Sequence, residues 1–152
     1  MEIKIVAGGP DDHLPILEDG SGKAIWVGVD KGVVTLLAKG ITPRIAFGDF
    51  DSVTKEEMNW IEKQVPEIRK FKPEKDKTDM ELALDWAIKQ NPEKIRILGG
   101  TGGRLDHFFA NVHLLLKPEL KNAASQIEMI DNRNIIFVKE PGTYTIEKME
   151  SK

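Results

Sequence analysis

An α/β fold with a mostly parallel sheet flanked by helices is predicted for this sequence on three observations. Short β-rich apolar runs alternate with stretches of helical periodicity along most of the chain. Acidic residues and glycines collect just after those runs, where an open parallel sheet binds its ligands. The 152 residues, 40% of them hydrophobic, are enough for one packed core and too few for two full domains. The expected arrangement is Rossmann-like.

Residues 3–7 open the chain as a strand, not as a signal peptide, and no apolar run approaches the length of a membrane span. A second strand over 24–29 leads to a helix over 32–39, which Gly40 stops. A strand over 44–47 precedes a helix over 54–64, and a strand over 67–71 precedes a helix over 78–90. Both helices begin on capping boxes, Thr54 with Glu57 and Thr78 with Glu81. In the second, Leu82, Ala83, Trp86 and Ala87 share one face at helical spacing. Ile95-Arg96-Ile97-Leu98 reads as part of a buried strand over 94–98, followed by a helix over 106–116 and a strand over 127–130. Trp26, Trp60 and Trp86 fall in apolar patterns and are expected in the core. The tail changes character: 134–139 and 143–146, with Pro141-Gly142 between them, read as a hairpin. The expected division is therefore an α/β domain over 1–132 and, over 133–152, the start of a truncated C-terminal β domain.

A net charge of −3 gives no reason to expect nucleic acid or an anionic membrane as partner. The absence of cysteine removes disulfides, thiolate metal sites and thiol nucleophiles. His107 and His113 are six residues apart and His13 is isolated, so histidine chemistry is not expected. A cytoplasmic enzyme or binding domain is the natural class.

The most telling stretch is Gly99-Gly100-Thr101-Gly102-Gly103-Arg104-Leu105-Asp106, between a strand and a helix. Its glycines let backbone approach a ligand, and the helix N-terminus beyond offers N–H groups to phosphate. Arg104 adds a guanidinium suited to phosphate oxygens. A Walker A loop would need Lys-Ser/Thr where Arg104-Leu105 stands, and a dinucleotide fingerprint would need glycine at Leu105. Other strand ends carry Gly8-Gly9, Asp30, Asp49 with Asp51, and Asp131. In extended backbone Asp49 and Asp51 point the same way and offer hard oxygens to Mg²⁺; the alternative is a turn with local backbone bonds. Asp79 opens a helix that Thr78 already caps, so capping alone does not require it. Asp106 and Asp30 have equally ordinary readings, as a helix cap and a turn residue. The basic run Arg69, Lys70, Lys72, Lys75, Lys77 reads as a solvated face able to steer polyphosphate.

Three pieces in order resemble the thiamine pyrophosphokinase (thiamine diphosphokinase) family: Gly48-Asp49-Phe50-Asp51-Ser52, Asp76-Lys77-Thr78-Asp79, and the glycine run through His107 with Asn111 beyond it. The resemblance covers nearly the whole chain. It implies transfer of a pyrophosphoryl group from ATP to thiamine, giving thiamine diphosphate and AMP. It further implies Mg²⁺ held by Asp49, Asp51 and Asp79, with Asp30 near the metal or substrate. Gly100, Thr101, Gly102, Gly103 and Arg104 would form the nucleotide site, and Asp106 would contact nucleotide or substrate. Family members continue into a β-sandwich domain that helps form the thiamine pocket and a homodimer. The expectation is thus a catalytic domain or a shortened member, in which nucleotide and Mg²⁺ binding survive better than thiamine binding. Two alternatives stand beside it. Asp49-Phe50-Asp51-Ser52-Val53 resembles the nucleophile motif of haloacid-dehalogenase-like Mg²⁺-dependent phosphohydrolases, although Gly48 interrupts the apolar approach to it. The other is a non-catalytic nucleotide-binding module.

Overall fold

The computed structural model describes residues 1–19, 22–72, 76–117 and 126–148. Every strand and helix expected up to residue 130 forms, with ends moved by no more than two residues. In chain order these are β1 (Glu2–Val6), β2 (Ala24–Val29), α1 (Lys31–Ala38), β3 (Ile45–Gly48), α2 (Lys55–Gln64), β4 (Glu67–Lys70), α3 (Asp79–Lys89), β5 (Lys94–Leu98), α4 (Leu105–Leu114) and β6 (Ile127–Ile130). A short 3-10 turn, Asp11–His13, lies between β1 and β2, and a two-residue strand, β7 (Ile135–Ile136), follows β6.

One seven-stranded sheet runs β4-β3-β2-β1-β5-β6-β7. All neighbours are parallel except β6 and β7. The chain starts at the centre, builds outward to β4, then returns to the other side of β1 with β5. Strand order therefore reverses between β1 and β5, the place where sheets of this kind open a ligand crevice.

Alternation along the strands sorts side chains to the two faces. Ile3 and Ile5 of β1, Ile95 and Ile97 of β5, and Met80, Ala83, Leu84 and Ala87 of α3 share one core cluster. The buried face of α3 is thus rotated from the expected one, leaving Leu82 and Trp86 half-buried at its margin. On the opposite face α1 and α2 bury Val33, Leu37 and Ile61 against Ala46 of β3. Trp26 is buried as expected, whereas Trp60 is exposed, because α2 turns Ile61 inward and its neighbour faces solvent.

The expected tail hairpin does not form. Ile135–Ile136 pairs antiparallel with Met129–Ile130, and residues 143–148 form no strand. The reversal occurs earlier, at Asp131, whose side chain accepts the N–H groups of Arg133 and Asn134. That turn returns the chain to the open edge of β6. Beyond Pro141-Gly142 the chain wraps locally instead, with the Tyr144 hydroxyl donating to the carbonyl of Glu140.

Candidate active site

The carboxyl ends of β1, β2, β3 and β5 open into one cleft of about 780 Å³. Its floor is glycine for a steric reason. A Cβ on Gly9 would lie 2.4 Å from the carbonyl oxygen of Gly99, and one on Gly99 (φ 75°) would lie 2.3 Å from that of Ala7. The two strand ends at the reversal point therefore pass at backbone contact, tied by a Gly9 N–H to Gly99 carbonyl bond of 2.8 Å.

On one side stand the acids. Asp30, Asp49 and Asp79 each place a carboxylate oxygen within 4.8 Å of the others, and all three are half-buried. Asp30 leaves β2 with φ 50°, an uncommon conformation for a residue with a side chain, and its Oδ1 accepts the Phe50 N–H at 3.1 Å. Gly48 is required there: a Cβ would lie 2.1 Å from that same oxygen. Burial raises the Asp30 carboxyl, a hydrogen bond shared with Asp79 and the charges of Asp79 and Asp49 add to it, and the Phe50 N–H opposes; the result is about 7. Two ligands of one Mg²⁺ lie at most about 4.2 Å apart, twice its roughly 2.1 Å bond length. A triplet of hard oxygens within 4.8 Å is therefore a small side-chain adjustment from such a site.

Asp51 stands outside this triplet, exposed, and does not line the cleft. Same-side projection two residues apart requires extended backbone, and Phe50 between the two acids has φ 62°. The Asp51 N–H instead turns back onto Asp49 Oδ1 at 3.0 Å. Asp49 and Asp79 are brought together, and Asp30 takes the third position.

Across the cleft lies the glycine-rich loop. Gly100, Thr101, Gly103 and Arg104 line it, while Gly102 and Asp106 face elsewhere. Gly102 has φ 83° and is covered by the His13 ring; a Cβ there would lie 2.5 Å from that ring. The Thr101 hydroxyl points away from the opening and donates to Asp131 Oδ2 at 2.8 Å. Arg104 grips Asp106 through both ends of its guanidinium, at 3.1 and 2.6 Å. Slight desolvation raises the Asp106 carboxyl, but the Arg104 hydrogen bond and charge outweigh it and hold it below the usual carboxylate range. Arg104 is exposed, so it can exchange that carboxylate for a phosphate.

Sequence reasoning missed Lys31, which opens α1 at the cleft margin beside Asp30. Its signal was available, since it directly follows a strand-end acid. It also set aside His13, whose packing under Gly102 depends on a fold contact that no local pattern shows.

A family profile described as "Thiamin pyrophosphokinase, catalytic domain" matches residues 20–129. The thiamine pyrophosphokinase of Bacillus subtilis is 50% identical over 151 residues, spanning 99% of this chain and 70% of that protein. The crystal structure of thiamin pyrophosphokinase from Geobacillus thermodenitrificans superimposes with a TM-score of 0.86 at 46% identity, covering 98% of this chain and 68% of the other. That of a thiamin pyrophosphokinase family protein from Enterococcus faecalis gives 0.87 at 34% identity, with 95% and 68% covered. With an acid triplet facing a glycine-rich loop at the reversal point, and a family match over most of its length, the chain belongs to the thiamine pyrophosphokinase family.

Proposed function

We propose that this chain transfers a pyrophosphoryl group from ATP to the hydroxyl of thiamine, giving thiamine diphosphate and AMP. The observation that carries this reading is a single cleft with an acidic triplet on one wall and a glycine-rich loop on the other. The thiamine oxygen attacks the β-phosphorus while the bond to the bridging oxygen breaks, and that electron pair leaves with AMP. The hydroxyl proton passes to a carboxylate of the cluster or to solvent. Positioning and charge neutralisation are the main demands of such a transfer.

In this reading Asp49 and Asp79, with Asp30, would hold Mg²⁺, and Asp51, which the family resemblance also implies as a ligand, stands next to them outside the cleft. When bound, Mg²⁺ neutralises developing charge on the migrating phosphates. Gly100 and Gly103 let the loop backbone lie against the phosphates, Gly102 supplies the positive-φ turn under His13, and Thr101 fixes the loop's shape. Arg104 leaves Asp106 to pair with a phosphate oxygen, and Asp106 then turns to nucleotide or substrate. The strand order, running outward from β1 on both sides, supports a Rossmann-like description of residues 1–132. We propose that a second, β-rich region of the kind the family resemblance implies begins within 133–152, after β7; the exposed Phe137, Tyr144 and Ile146 support this. The exposed Leu105 and Phe109 on α4 support a homodimer. A cytoplasmic location fits a chain in which no helix of the described residues is long and apolar enough to cross a membrane.

The test is a product analysis with ATP, Mg²⁺ and thiamine. AMP and thiamine diphosphate in equal amounts are expected, with loss of both in Asp79→Asn. Inorganic phosphate released without any need for thiamine would overturn the reading in favour of a phosphohydrolase acting through Asp49.

A further inference from the structure

Behind the glycine-rich loop lies a buried carboxylate that the proposed chemistry does not use. Asp131, directly after β6, is 9% exposed and does not line the cleft. Its Oδ1 accepts the N–H groups of Arg133 at 2.8 Å and Asn134 at 2.6 Å. Its Oδ2 accepts the Thr101 hydroxyl at 2.8 Å, and the Asn134 amide spans both oxygens at 3.1 Å. Burial alone raises this carboxyl; the donors outweigh it and hold it below the ordinary range, so the group is charged.

The next residue reaches the 3-10 turn. The Asn132 N–H donates to the His13 carbonyl at 2.9 Å, and its side-chain amide donates to the Asp12 carbonyl at 2.7 Å. His13 in turn covers Gly102. The turn after β6 therefore holds the glycine-rich loop twice, directly through Thr101 and, through Asn132, by way of the 3-10 turn whose His13 packs on Gly102. Glycine runs have the largest conformational freedom to lose on binding, so their shape must be imposed by neighbours. Charge-assisted hydrogen bonds are the strong choice for that task.

We propose that Asp131 is a positioning residue for nucleotide binding: it fixes the glycine-rich loop from behind through Thr101 and, with Asn132, ties that loop to the 3-10 turn packed on Gly102 before the ligand arrives. The inference rests on the reading of this loop as the nucleotide seat.

Calorimetric titration of ATP with Mg²⁺, together with steady-state kinetics, tests both levels. In Gly103→Leu the new Cβ meets only Pro10, at 3.7 Å, at a position that lines the cleft, and a melting curve checks that the fold is kept. Wild-type ATP affinity in that variant would overturn the nucleotide reading itself. If Gly103→Leu loses ATP, the positioning role is read from Thr101→Val and Asn132→Ala, each checked by its melting curve. Both are expected to weaken ATP roughly tenfold, the scale of one lost buried hydrogen bond. Thr101→Ser, which keeps the hydroxyl, recovers most of the loss. In Asn132→Ala the KM for ATP rises while kcat and the KM for thiamine hold. Wild-type ATP affinity in both Thr101→Val and Asn132→Ala, or an equal change in all three kinetic constants, would overturn the proposal.

Discussion

Asp30 is the residue whose chemistry most depends on its surroundings. Its carboxyl is raised to about 7, first by burial and then by Asp79 and Asp49. An acid raised on folding binds a proton more tightly in the folded state, so its contribution to stability is fully present below its unfolded value of about 4. That contribution is lost as pH climbs through about 7. Without divalent cation, the protein is therefore expected to melt at progressively lower temperature from pH 4.5 to 7.5 (roughly the window between those two values). Asp30→Asn removes most of that slope, and melting curves across the range check it. An unchanged slope in the variant would assign the dependence to other groups. Asp49 and Asp79 were legible as candidate ligands because one directly follows a strand and the other opens a helix that Thr78 already caps. The separation of Asp51 was not, because the φ of 62° at Phe50 follows from packing its ring into the core, where it is 5% exposed.

Among the elements, α2 and α3 were announced by the same cap signal and resolve it differently. At α2 the box is complete: the Glu57 N–H donates to the Thr54 hydroxyl at 3.1 Å, and the Thr54 N–H donates to Glu57 Oε1 at 2.8 Å. At α3 the Glu81 N–H donates to Thr78, but the Glu81 side chain is taken by Lys117, beyond α4. Thr54→Ala is expected to cost about 1 kcal/mol of stability with kcat unchanged. Urea melts and assays on one preparation check both. The central parallel strands were readable because strands covered on both faces carry apolar runs, while the exposed edge strand β4 holds a single apolar residue, Ile68. Strand β7 was readable as part of 134–139, but its short span and its partner were not, since the Asp131 turn directs it to β6. Pro141-Gly142 does bend the chain, but no strand follows it among the described residues.

For the whole molecule, the cleft joins elements that are far apart in sequence, so a ligand that fills it stabilises the entire fold. ATP with Mg²⁺ at a hundred times its Kd is expected to add about 2.7 kcal/mol to the unfolding free energy. In a chain of 152 residues that is a rise of roughly 5–10 °C in Tm. A thermal shift series with ATP, Mg²⁺ and both together measures it; no shift with both would remove the cleft as the ligand site.

The position of β1 at the centre of the sheet also has a cost during synthesis. Ile3 lies between Ile25 on one side and Ile95 on the other, so β1 must wait for one of its partners until the chain through β5 has been made. Until β5 emerges from the ribosome, the innermost strand presents a bare edge of N–H and C=O groups beside uncovered isoleucines. Such edges pair readily with other chains. The arrangement that brings two glycine-rich ends together at the cleft thus makes the nascent protein most exposed to misassembly just before that cleft can form.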